Sequence, residues 1–149
     1  MFEMSIIGAQ ILIALTIYSV WLIRPGLETP YRAAGARNLK EEFAVYRLPL
    51  WALYSVGAAK ILLATALVAG IWMSDLVVPA AYGMAVLMVV AVCMHLRVKG
   101  DSLMRAVPAA LMLMLSLFVA LWHQKAWMWS LESFLILSFI PSWNCWSGL

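Results

Sequence analysis

Four apolar runs divide this chain, and more polar stretches separate them. The first covers about Met4–Ile23 and stops at Arg24-Pro25-Gly26. The second, Leu48–Met73, is 26 residues long, and Lys60 near its middle is its only charge. The third and fourth cover about Val78–His95 and Ala106–Trp122. Pro49, Pro79 and Pro108 each fall in the first turn of a run, where a missing N–H costs a helix little. A helix rises about 1.5 Å per residue, so roughly 20 apolar residues cross the ~30 Å hydrocarbon core of a bilayer. The pattern therefore predicts an all-α, integral membrane four-helix bundle over residues 1–125, with spans at about 4–23, 48–73, 78–95 and 106–122.

Two stretches depart from the simple span pattern. Between the first two runs, Asn38-Leu39-Lys40-Glu41 reads as a variant capping box, with Asn38 as N-cap and Glu41 three residues on. Leu39, Phe43 and Tyr46 then recur at i, i+4 and i+7, which predicts a short helix lying on the membrane surface. The other stretch is the C-terminal segment 126–149. Its apolar run Ala126–Ile140 has 15 residues, is interrupted by Glu132 and ends at Pro141, which is short for a span. Tryptophans at 122, 127, 129, 143 and 146 point to an aromatic, interfacial tail, with a fifth span or a re-entrant segment as the alternative.

Composition agrees with the pattern. Of 149 residues, 66% are hydrophobic and 11% charged, and the mean hydropathy is +0.95. Soluble domains average about 25% charged residues, so the composition is that of a membrane protein. The net charge of +3 would suit a nucleic-acid partner only if the basic residues formed a face. Instead they flank the spans. Arg24, Arg32, Arg37, Lys40 and Arg47 lie in the first connection, and Arg97, Lys99 and Arg105 in the third. Arg24, Arg37, Arg47, Arg97, Lys99 and Arg105 are accordingly read as topology signals and lipid head-group contacts. Outside these loops and Lys60 only Lys125 is basic, which places both basic loops in the cytoplasm and the N-terminus outside. No Lys or Arg precedes the first run and no A-x-A-like site follows it, so an uncleaved first span is expected.

Candidate chemistry centres on Lys60. An ammonium at the middle of a membrane helix costs about 2.5–3.5 kcal/mol on insertion scales, so it normally faces a partner, a cavity or the bundle interior. Gly57, Ala58 and Ala59 precede it, and Ala66 and Gly70 lie four apart, which lets neighbouring helices approach closely. Its function would be to bind an anionic or carbonyl-bearing ligand; its structural alternative is a lysine satisfied by backbone carbonyls or one acid. Gln10 and Tyr54 are further ligand-binding candidates or neutral partners. Glu132 would reach Lys60 only if the tail enters the bundle. His95, at the end of the third run, is either a proton carrier and head-group contact or a cap for span carbonyls. Cys93 and Cys145 form no C-x-x-C, the histidines have no ligand spacing, and no metal site or intrinsic cofactor is expected. Cys93 reads as a small core residue and Trp21 as an interfacial anchor. Gly-x-Ser-x-Gly, P-loop and Rossmann patterns are absent, so no catalytic residue can be named.

The stretches RNLKEEFAVYRLP (37–49), GAAK (57–60) and AVCMHLRVKGD (91–101), followed by AVPAAL, resemble the DoxX-like family of small four-helix bacterial membrane proteins. The resemblance covers about Gly8–Trp122. Some members of that family are membrane subunits of thiosulfate:quinone oxidoreductases. Others associate with thiol- and superoxide-detoxifying enzymes or help mature a periplasmic amine dehydrogenase. The resemblance implies a bacterial inner-membrane protein, a non-catalytic subunit or anchor of a redox or detoxification system, with an oxidoreductase partner and a quinone or small ligand near Lys60. Of the polar positions, Lys60 and His95 carry over. The competing expectation is a small permease or ligand-binding protein with Lys60 as its anion-facing site, although no inverted repeat is visible. A homo-oligomer is compatible with either.

Overall fold

The computed structural model describes the backbone of residues 2–98 and 102–139, and the side chains of residues 4–98 and 102–125. All of its regular structure among the described residues is helical. Helix α1 (Phe2–Tyr18) continues through a π-turn, Ser19–Ile23, to Arg24. A short helix α2 (Leu39–Val45) precedes α3 (Leu50–Ala69), α4 (Val77–Arg97) and α5 (Val107–Phe139). Four helices are long and apolar enough to cross a membrane, over Met4–Ile23, Leu50–Ala69, Ser74–Arg97 and Val107–Lys125. The chain is thus a helical membrane bundle. Its spans agree with the expected ones to within a few residues, except at the far end of the second: Gly70 closes α3, and Ile71 and Trp72 already turn.

The spans form a closed ring in which α1 packs on α3 and α5, and α4 on α3 and α5. Glycine sets the separations. A Cβ on Gly70 would sit 2.5 Å from Val77 Cγ2, and one on Gly83 would sit 2.9 Å from Leu63 Cδ2. Both lie at α3–α4 contacts, where small residues permit close helix approach in lipid. Packing is uneven along the ring. The continuous core (Ile6, Ile13, Ala64, Leu67, Val77, Ala81, Met84, Val119 and Ala120 among others) fills the half remote from the two basic loops. Large apolar side chains such as Leu15, Leu62, Trp72 and Leu121 face outward, as a lipid-facing surface requires.

Helix α2 is held at both ends by its sequence. Asn38 Oδ1 accepts from Glu41 N at 2.9 Å, while the Glu41 carboxylate accepts from Asn38 Nδ2 and from Arg37 N, each at 2.8 Å. A full capping box would return to the N-cap N–H; here the return bond reaches one residue further back. At the other end, Leu48 N donates to Phe43 O and Arg47 N to Ala44 O, both at 2.9 Å, the two bonds of a Schellman motif. Leu48 packs on the small cluster of Leu39, Phe43 and Leu53, which ties α2 to α3.

Three sequence expectations are displaced. Trp21 is turned inward against Phe43 and Gly57 instead of anchoring at the interface. Cys93 is exposed on the outer face of α4 and is no core residue. Span four was expected to end at Trp122, yet the backbone continues as one helix to Phe139 with no turn between span and tail. Helix propensity explains the continuation, since no Gly or Pro interrupts Val107–Phe139 after Pro108. Side chains of the tail, Glu132 and Cys145 with them, lie outside the described residues, as do Lys99 and Asp101.

Arg47 closes α2 with φ +58°, a left-handed conformation that costs a residue with a Cβ about 1–2 kcal/mol. Arg47→Gly is therefore expected to stabilise the protein by about 1 kcal/mol, read as a higher midpoint in denaturant or thermal unfolding of the detergent-solubilised chain. No gain would mean that the Arg47 side chain contributes as much as its strain costs.

Candidate functional site

The half of the bundle nearest the basic loops is hollow. A cavity of about 480 Å³ opens between the last turns of α1, helix α2, the first half of α3, the second half of α4 and the start of α5. Its walls are mostly apolar, including Ile17, Val20, Leu48, Val56, Leu87 and Met112. Lys60, Trp21, Tyr46, His95, Glu42 and three arginines (Arg24, Arg32, Arg105) also line it. Arg32 and Arg105 are shared with a smaller hollow of about 360 Å³ among the loop residues Glu28–Ala36. A concave, mostly apolar space with a few convergent polar groups is the usual form of a small-molecule site.

Lys60 stands about fifteen ångströms along α3 from Leu50, at ~1.5 Å per residue, where the hollow half meets the packed half. It is 8% exposed. Its Nζ lies 5.4 Å from the centroid of the Trp21 ring. That ring occupies the notch left by Gly57, one turn before Lys60, where a Cβ would come within 2.6 Å of Trp21 Cε3. Phe43 meets Trp21 edge-on at 6.2 Å and holds it from the other side. The π-turn that carries Trp21 is a feature frequent at functional sites, because the extra residue re-aims the side chains around it. Among the described residues no carboxylate and no hydrogen-bond acceptor engages the ammonium. Glu42 acts on it only through space.

Glu42 itself is occupied. Arg32 Nη1 donates to its Oε2 at 3.1 Å, and Ala33 N and the Tyr46 hydroxyl donate to its Oε1 at 3.3 and 3.2 Å. Arg32 also donates to the carbonyls of Leu27, Arg24 and Pro25, so one buried guanidinium knits the first loop into the wall. The Tyr46 hydroxyl lies 3.1 Å from His95 Nδ1, and their rings meet edge to face at 5.7 Å. His95 Nε2 is 3.8 Å from Glu42 Oε1. This Glu42–Tyr46–His95 cluster fastens α2 to α4 and presents a hydroxyl and an imidazole to the cavity.

The structure brings together two of the four ligand-binding candidates named from sequence, Lys60 and His95. Gln10 lies elsewhere: it is 1% exposed in the packed half, and its Nε2 has no partner among the described residues. Tyr54 is 63% exposed on the outer face of α3 and does not line the cavity. Arg24 and Arg105, read as topology signals, line the cavity as well. Arg37, Arg47 and Arg97 are exposed. Glu42 and Arg32 were missed. The signal for Glu42 was present, since it shares the i, i+3, i+4, i+7 stripe with Leu39, Phe43 and Tyr46, and a charge on the apolar face of a short helix implies a buried partner. No period marks Arg32, because it lies in a loop.

The model of the DoxX-like family matches residues 31–119, more than half of the chain. That segment holds α2, α3, α4 and the first turns of α5; the α1 wall of the cavity, with Trp21, lies outside it. No curated protein and no solved structure matches the chain.

Adjacent glutamates provide a test of the wall. Removing one partner of a buried ion pair costs about 3–5 kcal/mol, whereas an exposed cap is worth about 1 kcal/mol. Glu42→Ala is expected to destabilise the solubilised protein several-fold more than Glu41→Ala in the same unfolding assay. Equal effects would show that the Arg32–Glu42 pair does not hold the loop.

Proposed function

The chain belongs to the DoxX-like family, and from that premise we propose that it is a ligand-binding membrane subunit serving a redox or detoxification system. It holds in its cavity one small molecule with an apolar body and a polar head, and it anchors or supplies an oxidoreductase partner that does the chemistry. A quinone is the occupant that a redox system of this family would provide. The observation that carries the reading is the Lys60 ammonium, met among the described residues by no carboxylate and no hydrogen-bond acceptor, facing a mostly apolar space of 480 Å³. Burying such a charge without a partner costs several kcal/mol. A cation–π contact returns about 2 kcal/mol when desolvated, so Trp21 alone leaves a deficit. An occupant whose polar head meets Lys60 reduces it.

The residues around that head divide the work. Lys60 donates from the bundle side. Tyr46 and His95 face the same space from the loop side, where Glu42 fixes the tyrosine hydroxyl. Residues Val20, Leu87 and Met112 enclose the body. Among the described residues no group of His, Cys, Asp or Glu could hold a metal ion, and on this reading electrons would pass between the occupant and the partner.

Mass spectrometry of the protein extracted in mild detergent tests this. Wild type is expected to carry a small molecule or an oxidoreductase that is lost in Lys60→Met. Identical spectra from the two would remove Lys60 from the site. The membrane frame of the proposal places the bundle in a bacterial inner membrane with the basic loops, and hence the cavity mouth, on the cytoplasmic side. Reporter tags at residue 1 and in the loop after α4 should then report outside and inside; the opposite pair would invert the site.

A further inference from the structure

Charge balance around the cavity restricts what its occupant can be. Arg32 and Glu42 neutralise each other at 3.1 Å. Lys60, 8% exposed, has no carboxylate partner among the described residues, and two further cations, Arg24 and Arg105, line the cavity without approaching Lys60's depth. Among the described residues the hollow half therefore holds one deeply buried ammonium that no carboxylate touches, with Glu42 acting on it only through space. A neutral carbonyl offers Lys60 a dipole, which offsets only part of the cost of an uncompensated ion; a formal anion offsets it with a charge-assisted hydrogen bond. Around the ammonium the walls are apolar on α1, α3, α4 and α5, so the anion must enter on an apolar body. A cavity of 480 Å³ is the size that takes one drug-sized molecule, about 300–1,000 Å³.

We infer that the site selects a monoanionic amphipath, a single-chain carboxylate whose head pairs with Lys60 beneath the Trp21 ring. This rests on the cavity being a ligand site; it replaces the quinone of that reading with an acid that carries no electrons, so any electron transfer in the system would run through the partner and not through this occupant. Three features give it its shape. Lys60 supplies one charge for one charge. Trp21, seated in the Gly57 notch, covers the head and keeps water from the pair. The chain then runs along the apolar face toward Val20, Leu87 and Met112.

The test uses the full chain in zwitterionic nanodiscs, with empty nanodiscs as the blank, and follows saturable binding of radiolabelled oleate. Unlabelled oleate, methyl oleate and decylubiquinone compete. The expected result is one site per chain, displaced by oleate and about ten- to a hundredfold less well by the ester and the quinone. Binding should be lost in Lys60→Gln and retained in Lys60→Arg. The acid-against-ester comparison needs only the wild-type protein, so misfolding of a variant cannot obscure it. If the ester or the quinone competes as well as the acid, the charge inference falls and the cavity remains a ligand site. Oleate binding that survives Lys60→Gln in folded protein overturns the Lys60 pairing. Absence of saturable binding by all three probes overturns both the inference and the ligand-site reading.

Discussion

A lysine ammonium halfway along an apolar helix is the constraint that orders this bundle. Lipid offers no water to such a group, so every neighbour must either solvate it or make room for something that does. Gly57 gives up its side chain so that an indole can lie over the charge, and the π-turn in span one aims that indole inward. The rest of the solvation is missing from the described residues. A close-packed bundle would have excluded the lysine or buried an acid beside it; this one keeps a hollow instead.

The hollow has a structural origin. In the half remote from the basic loops, Ile13, Leu67, Met84 and Val119 interdigitate with alanines and leave the four helices in contact. In the other half, α2 and its loop are wedged between the ends of the spans. The Arg32–Glu42 pair, the three carbonyls on Arg32 and the Tyr46–His95 contact hold that wedge in place. Removing water from such a pair is expensive, and its bonds return that cost only because nearly every donor and acceptor is used. A loop bound this firmly cannot collapse into the space beneath it. The same contacts that cap the bundle therefore keep the cavity open.

Much of this was legible along the chain, for physical reasons that differ element by element. The spans could be read because lipid demands long apolar runs, and the caps of α2 because Asn38 and Glu41 are local signals. Lys60 was conspicuous as the only charge in 26 residues. What could not be read was which residues meet across the ring. Trp21 looks the same in sequence whether it faces lipid or a glycine on another helix. Tyr54 and Gln10 look as able to reach Lys60 as His95 does, because helical phase relative to a partner helix is not written in either run alone. Glu42 lay on the apolar stripe of α2 and was readable; Arg32 was not, since a loop has no period from which burial can be inferred.

The uneven division of the small residues completes the argument. Gly70 and Gly83 let helix meet helix, as small residues in membrane bundles usually do. Gly57 admits a side chain instead, and that side chain faces the charge. If close packing were the only demand on α3, Gly57 would bring α1 backbone to α3 backbone and close the space over Lys60. Filling the notch with an indole holds the helices apart at that level, where the packed core gives way to the cavity. The spacing of the bundle at this depth is thus set by Trp21 and Lys60 together.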